Sequence, residues 1–314
     1  MASRPSSGVL ITGTHRSGST WVGDIISSSH RIQYIQEPLH PHNTINRFLW
    51  GHKIDHFYTH ITDYNCAQWE SYFNQILCFR PHILSSIISS KNSKDLVSVL
   101  KNIVKLTNAR FQGCIPLLKD PYALLAAPWL AKRFNLHVIV LIRHPAAFVA
   151  SLKRMGWNPD FDFIFKQPTI IRDFLDSYEI GIRGIPKDDI IARGALLWRL
   201  FHYIIYEYQK VHKDWLFIRH EDLSCNPLIN FGKIFDYLDI KYDERIKSRI
   251  RKLSSPKNPA AAPNGVSQAL ARNSSSVITQ WHCKLNKSEI NLIQSITKPI
   301  SEQFYDKQCW AVNK

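Results

Sequence analysis

The sequence predicts an α/β fold with a parallel sheet, and three observations carry the prediction. An apolar run, GVLIT (8–12), meets a glycine turn and then helix-compatible STWVGDIISSS, giving strand, loop, helix. Two more apolar runs, CIPLLK (114–119) and HVIVLIR (137–143), have strand length, and YALLAAPWLAKRF between them reads as a crossover helix. WLFIRHEDL (215–223) offers a fourth strand after the long helical pattern ARGALLWRLFHYIIYEYQKVH. Strands alternating with helices imply parallel pairing. HVIVLIR is rich in β-branched residues and does not alternate, as expected of a strand buried on both faces.

The first turn has a composition of its own. From Gly13 it reads G-T-H-R-S-G-S-T, nearly a Walker A phosphate loop. A nucleotide hydrolase would carry lysine where Ser19 stands; the only cation inside this loop is Arg16. Backbone N–H groups from Thr14 to Thr20, at a helix N-terminus, are expected to form an anion cradle. Gly13 and Gly18 let the backbone approach a ligand closely, Arg16 adds a forked cation, and Ser19 and Thr20 add hydroxyls. A second segment, LIRHPAAFVASL (141–152), ends an apolar strand at Arg143 and carries Ser151 eight residues later on the helix that Pro145 begins. At the C-terminal edge of a sheet, where such folds bind ligands, Arg143 and Ser151 could converge on a second phosphate.

Further along, Asn226 and Pro227 signal a helix start, with Leu228, Phe231, Ile234, Phe235 and Leu238 forming one apolar face. Asn286 and Glu289 have capping-box spacing. Between these helices SSPKNPAAAPNGVSQALARNSSS reads as a long loop of the kind that is often functional. The sequence contains neither an internal repeat nor an interdomain linker, which implies one domain over 1–314 with its core at about 8–300.

Composition bounds the function classes. A net charge of +15 favours anionic partners, but the cations are scattered, which argues against a nucleic-acid-binding arm. Cys66, Cys78, Cys114, Cys225, Cys283 and Cys309 include no C-x-x-C pair, so a reduced cytoplasmic protein is expected. The start, MASRPSSGVLITG, lacks the apolar stretch of a signal peptide, and ALLAAPWLA and VIVLI are too short to span a bilayer. His52, His56 and His60 would align on a helix, but no acidic partner joins them and no metal is expected. Nine aromatics in 48–79, among them Trp50, Tyr58, Trp69 and Phe73, suit core packing or a wall for a ring-bearing acceptor.

Together these segments resemble the sulfotransferases that use 3′-phosphoadenylyl sulfate (PAPS). Arg16, Ser17, Gly18, Ser19, Thr20 and Trp21 match that family's 5′-phosphosulfate loop, and Arg143 with Ser151 matches its 3′-phosphate motif. RHEDL resembles the family's strand end, with His220 at an aromatic position, and ARNSSSVITQW resembles its late loop, making Arg272 the candidate that closes over the 3′-phosphate. The resemblance covers roughly residues 8 to 300 and implies a P-loop-like three-layer fold, with a central parallel β-sheet flanked by helices. It implies PAPS as co-substrate, 3′,5′-bisphosphoadenosine as product, no metal, and Trp21 stacked on adenine. Because no Mg²⁺-bound triphosphate is handled, the Walker lysine is not required. Arg16 would instead face the bridging oxygen and 5′-phosphate, where charge grows as the S–O bond breaks.

The cytosolic phenol and steroid enzymes of this family place a catalytic His two residues after a strand-end Lys. Here Lys119 is followed by Asp120 and then Pro121, so the usual base is missing. Carbohydrate and some bacterial members use a Glu after the second strand, often followed by Pro, which matches Glu37-Pro38. Asp120, His40 and His42 compete for the same role. Lys119 would stabilise the sulfuryl oxygens. The expected acceptor is a hydroxyl, or an amine, of a carbohydrate or small molecule; the alternative reading is a P-loop kinase-like ATP-dependent transferase.

Overall fold

The computed structural model describes residues 8–90, 92–175, 185–261 and 269–311. Five strands, β1 (Val9–Gly13), β2 (Ile32–Gln36), β3 (Ile115–Lys119), β4 (His137–Ile142) and β5 (Leu216–Arg219), form one sheet in the order β2-β3-β1-β4-β5. It is a single parallel sheet flanked by helices, as the alternating pattern predicts. β1 and β2 both pair in parallel with β3. The register sets Ile11 and Gln36 opposite Lys119, so these three strands end at one edge.

The chain groups into two compact units. One comprises residues up to 12 and 22–139; the other comprises 13–21 and 140–314. Within the first unit, β1 and β3 are buried strands. Helix α1 (Ser19–Ile26), whose first residues belong to the second unit, buries Val22, Ile25 and Ile26. After β2 come α2 (Thr44–Trp50), α3 (Ala67–Leu77), α4 (Ile83–Ile88) and α5 (Ser93–Phe111), and after β3 comes α6 (Ala127–Phe134). The segment read as a crossover helix begins as a 3₁₀ turn over Pro121–Ala126, because Pro121 follows an extended Asp120 that caps the turn.

The aromatics of 48–79 are mostly packing. Trp50, Tyr58, Trp69 and Phe73 are buried, so they build the core of this unit and not an open wall. His52, His56 and His60 lie in non-helical chain, so their four-residue spacing does not align them. Among the described residues no group of three His, Cys, Asp or Glu is arranged to hold a metal. All six cysteines are free thiols, and no helix of the described residues is long and apolar enough to cross a membrane.

In the second unit, α7 (Pro145–Met155) and α8 (Ile190–Val211) pack on each other and on a C-terminal helix, Lys287–Ser301. Trp198, Phe201, Phe231 and Phe235 are completely buried; a side chain of this size contributes about 1.5–3 kcal/mol when removed from water. β5 is shorter than expected. HEDLSC leaves the strand and forms α9 (His220–Cys225), which runs directly into α10 (Pro227–Tyr237). Asn226 lies at that junction without a side-chain cap; Asn230 Nδ2 donates to the Asp222 and Asn226 carbonyls instead. Leu228 is partly exposed and drops out of the predicted apolar face. The expected capping box at Asn286 and Glu289 is present, opening the C-terminal helix. Residues 262–268 of the long loop lie outside the described residues.

Three histidines of this unit set an acid limit on stability. His15 packs on Phe148, His144 stacks on Trp281, and His202 stacks on Trp198 with their centroids 3.8 Å apart. Burial lowers each from 6.5 to about 3, helped by Arg16 at His15 and by His282 and Arg143 at His144. The folded rings stay neutral while the unfolded chain takes up protons below pH 6.5, so stability present above that pH is lost as pH falls toward 3. Each ring should cost about 2 kcal/mol by about pH 5. Urea unfolding midpoints are expected to fall across this window, and replacing His202 by Phe should flatten the slope.

Candidate active site

Within the second unit, the glycine loop is fixed by steric necessity. A Cβ on Gly13 (φ +136°) would lie 2.4 Å from the Leu141 carbonyl oxygen, and one on Gly18 (φ +94°) 2.4 Å from the His220 ring. Glycine is the residue that meets both the contact and the dihedral. Arg16 between them adopts φ +65°. The Ser17 hydroxyl donates to the Thr14 carbonyl over 2.6 Å, and the Ser17 N–H bonds the same oxygen. Ser17 therefore holds the loop's shape; its hydroxyl is spent inside the turn. Ser19 is buried at the start of α1, and Thr20 follows it half-buried.

The two predicted anion motifs meet. Arg16 Nε donates to Ser151 Oγ over 2.9 Å, and an Arg143 guanidinium N–H donates to the Arg16 carbonyl. The Arg143 carbonyl in turn accepts from Trp198 Nε1 at 2.7 Å, which pins the end of β4 to α8. Arg272 is fastened by its guanidinium to the Ala260 carbonyl and Gln280 Oε1. Trp21 stands half-buried with Phe231 and His220 edge-on to it, at centroid distances of 5.1 and 6.1 Å.

The electrostatics reveal partners that the motifs did not. Burial lowers Arg272 to about 10, and the positive charges of Arg143 and Arg154 add to the effect. Lys284 is lowered by burial and by the same three arginines. Arg143 is lowered by burial, although Glu221 pulls it back. His220 is held well below its ordinary value by burial and by Arg143 and Arg272, so it is neutral. The Nε atoms of Arg143 and Arg272 are buried without a hydrogen-bond acceptor. A cluster of mutually repelling cations with unsatisfied buried donors is what a multiply charged anion would relieve. Arg154 could have been found in the sequence, three residues after Ser151 and so on the same side of α7. Lys284 carries no such local signal, and Glu221 is marked only by its place in RHEDL. Glu221 binds the His144 N–H at 3.0 Å and the Tyr305 hydroxyl at 2.9 Å.

In the first unit, Lys119 and Glu37 form an ion pair, Nζ to Oε1, with the Lys119 side chain fully buried. The Glu37 backbone is left-handed at φ +47°, a conformation that costs a non-glycine residue about 1–3 kcal/mol. The surroundings hold it there. The Glu37 N–H donates to the Lys119 carbonyl at 2.8 Å, while Asn46 Nδ2 and the His40 N–H donate to the Glu37 carbonyl at 3.0 and 3.2 Å. The Tyr72 hydroxyl fixes the Pro38 carbonyl at 2.8 Å.

Asp120 also builds this turn. Its Oδ2 accepts the Leu39 N–H at 2.6 Å and its Oδ1 the Tyr122 N–H at 2.9 Å. Burial, with Glu37 nearby, pushes its carboxyl up to about 7. With both oxygens engaged by the backbone, Asp120 braces the turn that carries Glu37. Asp120→Asn keeps the shape but sets an NH₂ against an N–H; a stability loss of about 1–3 kcal/mol is expected by chemical denaturation. His40 Nδ1 accepts the His42 N–H at 3.1 Å, and burial lowers the His40 pKa. A cavity of about 460 Å³ opens beside Glu37, lined by Gln36, His40, His42, Asn43, Asn46 and Asn102, among others.

A family model for the sulfotransferase domain matches residues 6–307. The chain belongs to the sulfotransferase family, and it is a transferase enzyme. Among relatives, it is 21% identical to carbohydrate sulfotransferase 1 of Danio rerio and 23% identical to that of Homo sapiens. These alignments cover 94% of this chain and 76% and 78% of the relatives. Among solved structures, the sulfotransferase domain of the Synechococcus PCC 7002 olefin synthase is similar at 17% identity and TM-score 0.49, covering 96% of both chains. A mouse sulfotransferase solved with PAP is similar at 13% identity and TM-score 0.43, covering 97% of this chain and 86% of its own.

Proposed function

We propose that this sulfotransferase takes its sulfuryl group from PAPS and transfers it to a hydroxyl of a carbohydrate or similar polyhydroxylated acceptor, leaving 3′,5′-bisphosphoadenosine. The observation that carries the donor is the cation cluster of Arg143, Arg154, Arg272 and Lys284, with unsatisfied Nε atoms on two of its arginines. Arg143, Ser151 and Arg272 hold the 3′-phosphate. Arg16, with the N–H groups that open α1, holds the 5′-phosphate and bridging oxygen. Trp21 offers a ring face to adenine.

Glu37 accepts the acceptor's hydroxyl proton as that oxygen bonds to sulfur. The electron pair of the breaking S–O bond passes to the 5′-phosphate oxygen, where Arg16 stabilises it. Lys119 divides its N–H donors between Glu37 and the sulfuryl oxygens. Support for a sugar acceptor comes from the cavity beside Glu37, whose lining residues are mostly polar, and from the carbohydrate sulfotransferase relatives.

Calorimetry with 3′,5′-bisphosphoadenosine, 5′-AMP and Mg-ATP tests the donor. Tight binding of the bisphosphate without added metal is expected. Preference for Mg-ATP would overturn the reading in favour of a kinase-like transferase. Transfer of labelled sulfate from PAPS to a panel of sugars and hydroxylated small molecules then tests the acceptor.

A further inference from the structure

We infer that the outward face of α4 and α5 docks on an anionic lipid bilayer. Helix α5 is apolar on two sides. Val99, Ile103, Leu106 and Ala109 face the interior, as an amphipathic surface helix requires. The opposite side should then be polar. It instead carries Val97, Leu100, Val104 and Phe111 at helical spacing, with Val104 59% and Phe111 85% exposed. The adjoining α4, which packs on α5, adds Leu84 and Ile88 at 77% and 82% exposure. An apolar surface continued over two helices marks an interaction site.

The charges around this surface select its occupant. Residues 80–113 contain six Lys or Arg and a single acid, Asp95. Asp95 is taken up in capping α5, where it exchanges hydrogen bonds with Asn92. Arg80, Lys94, Lys101, Lys105 and Arg110 are all exposed. A second copy of the chain, presenting the same face, would set these cations against each other. An anionic surface is attracted to all of them. Aliphatic side chains that protrude beside lysines fit a bilayer, because acyl chains adapt to any protrusion while lysine stems reach back to the headgroups. A folded acidic partner would need a cavity matched to each protruding side chain.

The test uses the whole chain in vesicle sedimentation. Vesicles of phosphatidylcholine are compared with vesicles of equal parts phosphatidylcholine and phosphatidylserine. Binding to the second alone, weakened by salt, is expected. The double variant Lys94→Glu, Lys101→Glu and the double variant Leu84→Ser, Ile88→Ser should each lose about tenfold or more in partitioning. Both pairs are exposed and include no residue of the proposed donor site, so calorimetric binding of 3′,5′-bisphosphoadenosine should be unchanged and reports that the variants are folded. Failure to bind either vesicle, or unaltered binding by both variants, would overturn the inference. So would a dimer in analytical ultracentrifugation that the Leu84→Ser, Ile88→Ser pair dissociates, or retention on an immobilised acidic polypeptide without vesicle binding.

Discussion

Replacing Glu37 by glutamine is expected to lower turnover by about 10²- to 10⁴-fold, the contribution of a well-placed base, while the affinity for 3′,5′-bisphosphoadenosine stays the same. Glutamine keeps the length of the side chain and still offers Lys119 a carbonyl acceptor, but it cannot take a proton. The substitution also removes the charge partner of a lysine that is fully buried. Breaking a buried pair can cost about 3–5 kcal/mol of stability, so loss of activity alone would not distinguish chemistry from unfolding. Two further readouts separate them. Calorimetry on Glu37→Gln should show an intact donor site, and Glu37→Asp, which keeps the charge on a shorter stem, should recover part of kcat. A Glu37→Gln enzyme with normal turnover would show that another group accepts the proton.

Arg143→Ala is expected to weaken donor binding by roughly 30- to 5,000-fold, the range for removing one partner of a buried, hydrogen-bonded charge pair. The more discriminating effect is on selectivity. The intact cluster should favour 3′,5′-bisphosphoadenosine strongly over 5′-AMP, and the variant should bind the two nearly alike. The Trp198 bond goes to the Arg143 backbone carbonyl and survives the substitution, whereas the guanidinium bond to the Arg16 carbonyl is lost, so the ratio of the two affinities is the readout. Arg272 should also regain a more ordinary basicity once the neighbouring charge is gone, since Arg143 is one of the charges that depress it. Retained preference for the bisphosphate in Arg143→Ala would place the 3′-phosphate elsewhere.

Much of this site was legible because its determinants are local. The glycines at 13 and 18 stand where the chain must turn with positive φ against Leu141 and His220, and their spacing shows in the sequence. Arg143 and Ser151 lie on a strand end and the helix after it, so eight residues of sequence already place them near each other. The neighbours they acquire are a different matter. Lys284 enters the arginine field from far along the chain, and Arg16 binds Ser151 across 135 residues. The strand over WLFIRHEDL ends at Arg219, short of the length its pattern predicts, because His220 is drawn into a helix that packs against Gly18 and Trp21.

Glu37 shows the division most clearly. A glutamate before proline at a strand end could be picked as a candidate, but so could Asp120, His40 and His42. Their hydrogen bonds differ: two backbone N–H groups occupy Asp120, while Lys119, Asn46 and Tyr72 brace the turn at Glu37. The sequence by itself determined the strands, the phosphate-type turn and the types of side chain available, since periodicity and turn chemistry act over a few consecutive residues. Only the tertiary structure decided which cations share one field, which carboxylate is engaged and which histidines stay neutral, because desolvation and Coulomb energy depend on distances through space and not on separation along the chain.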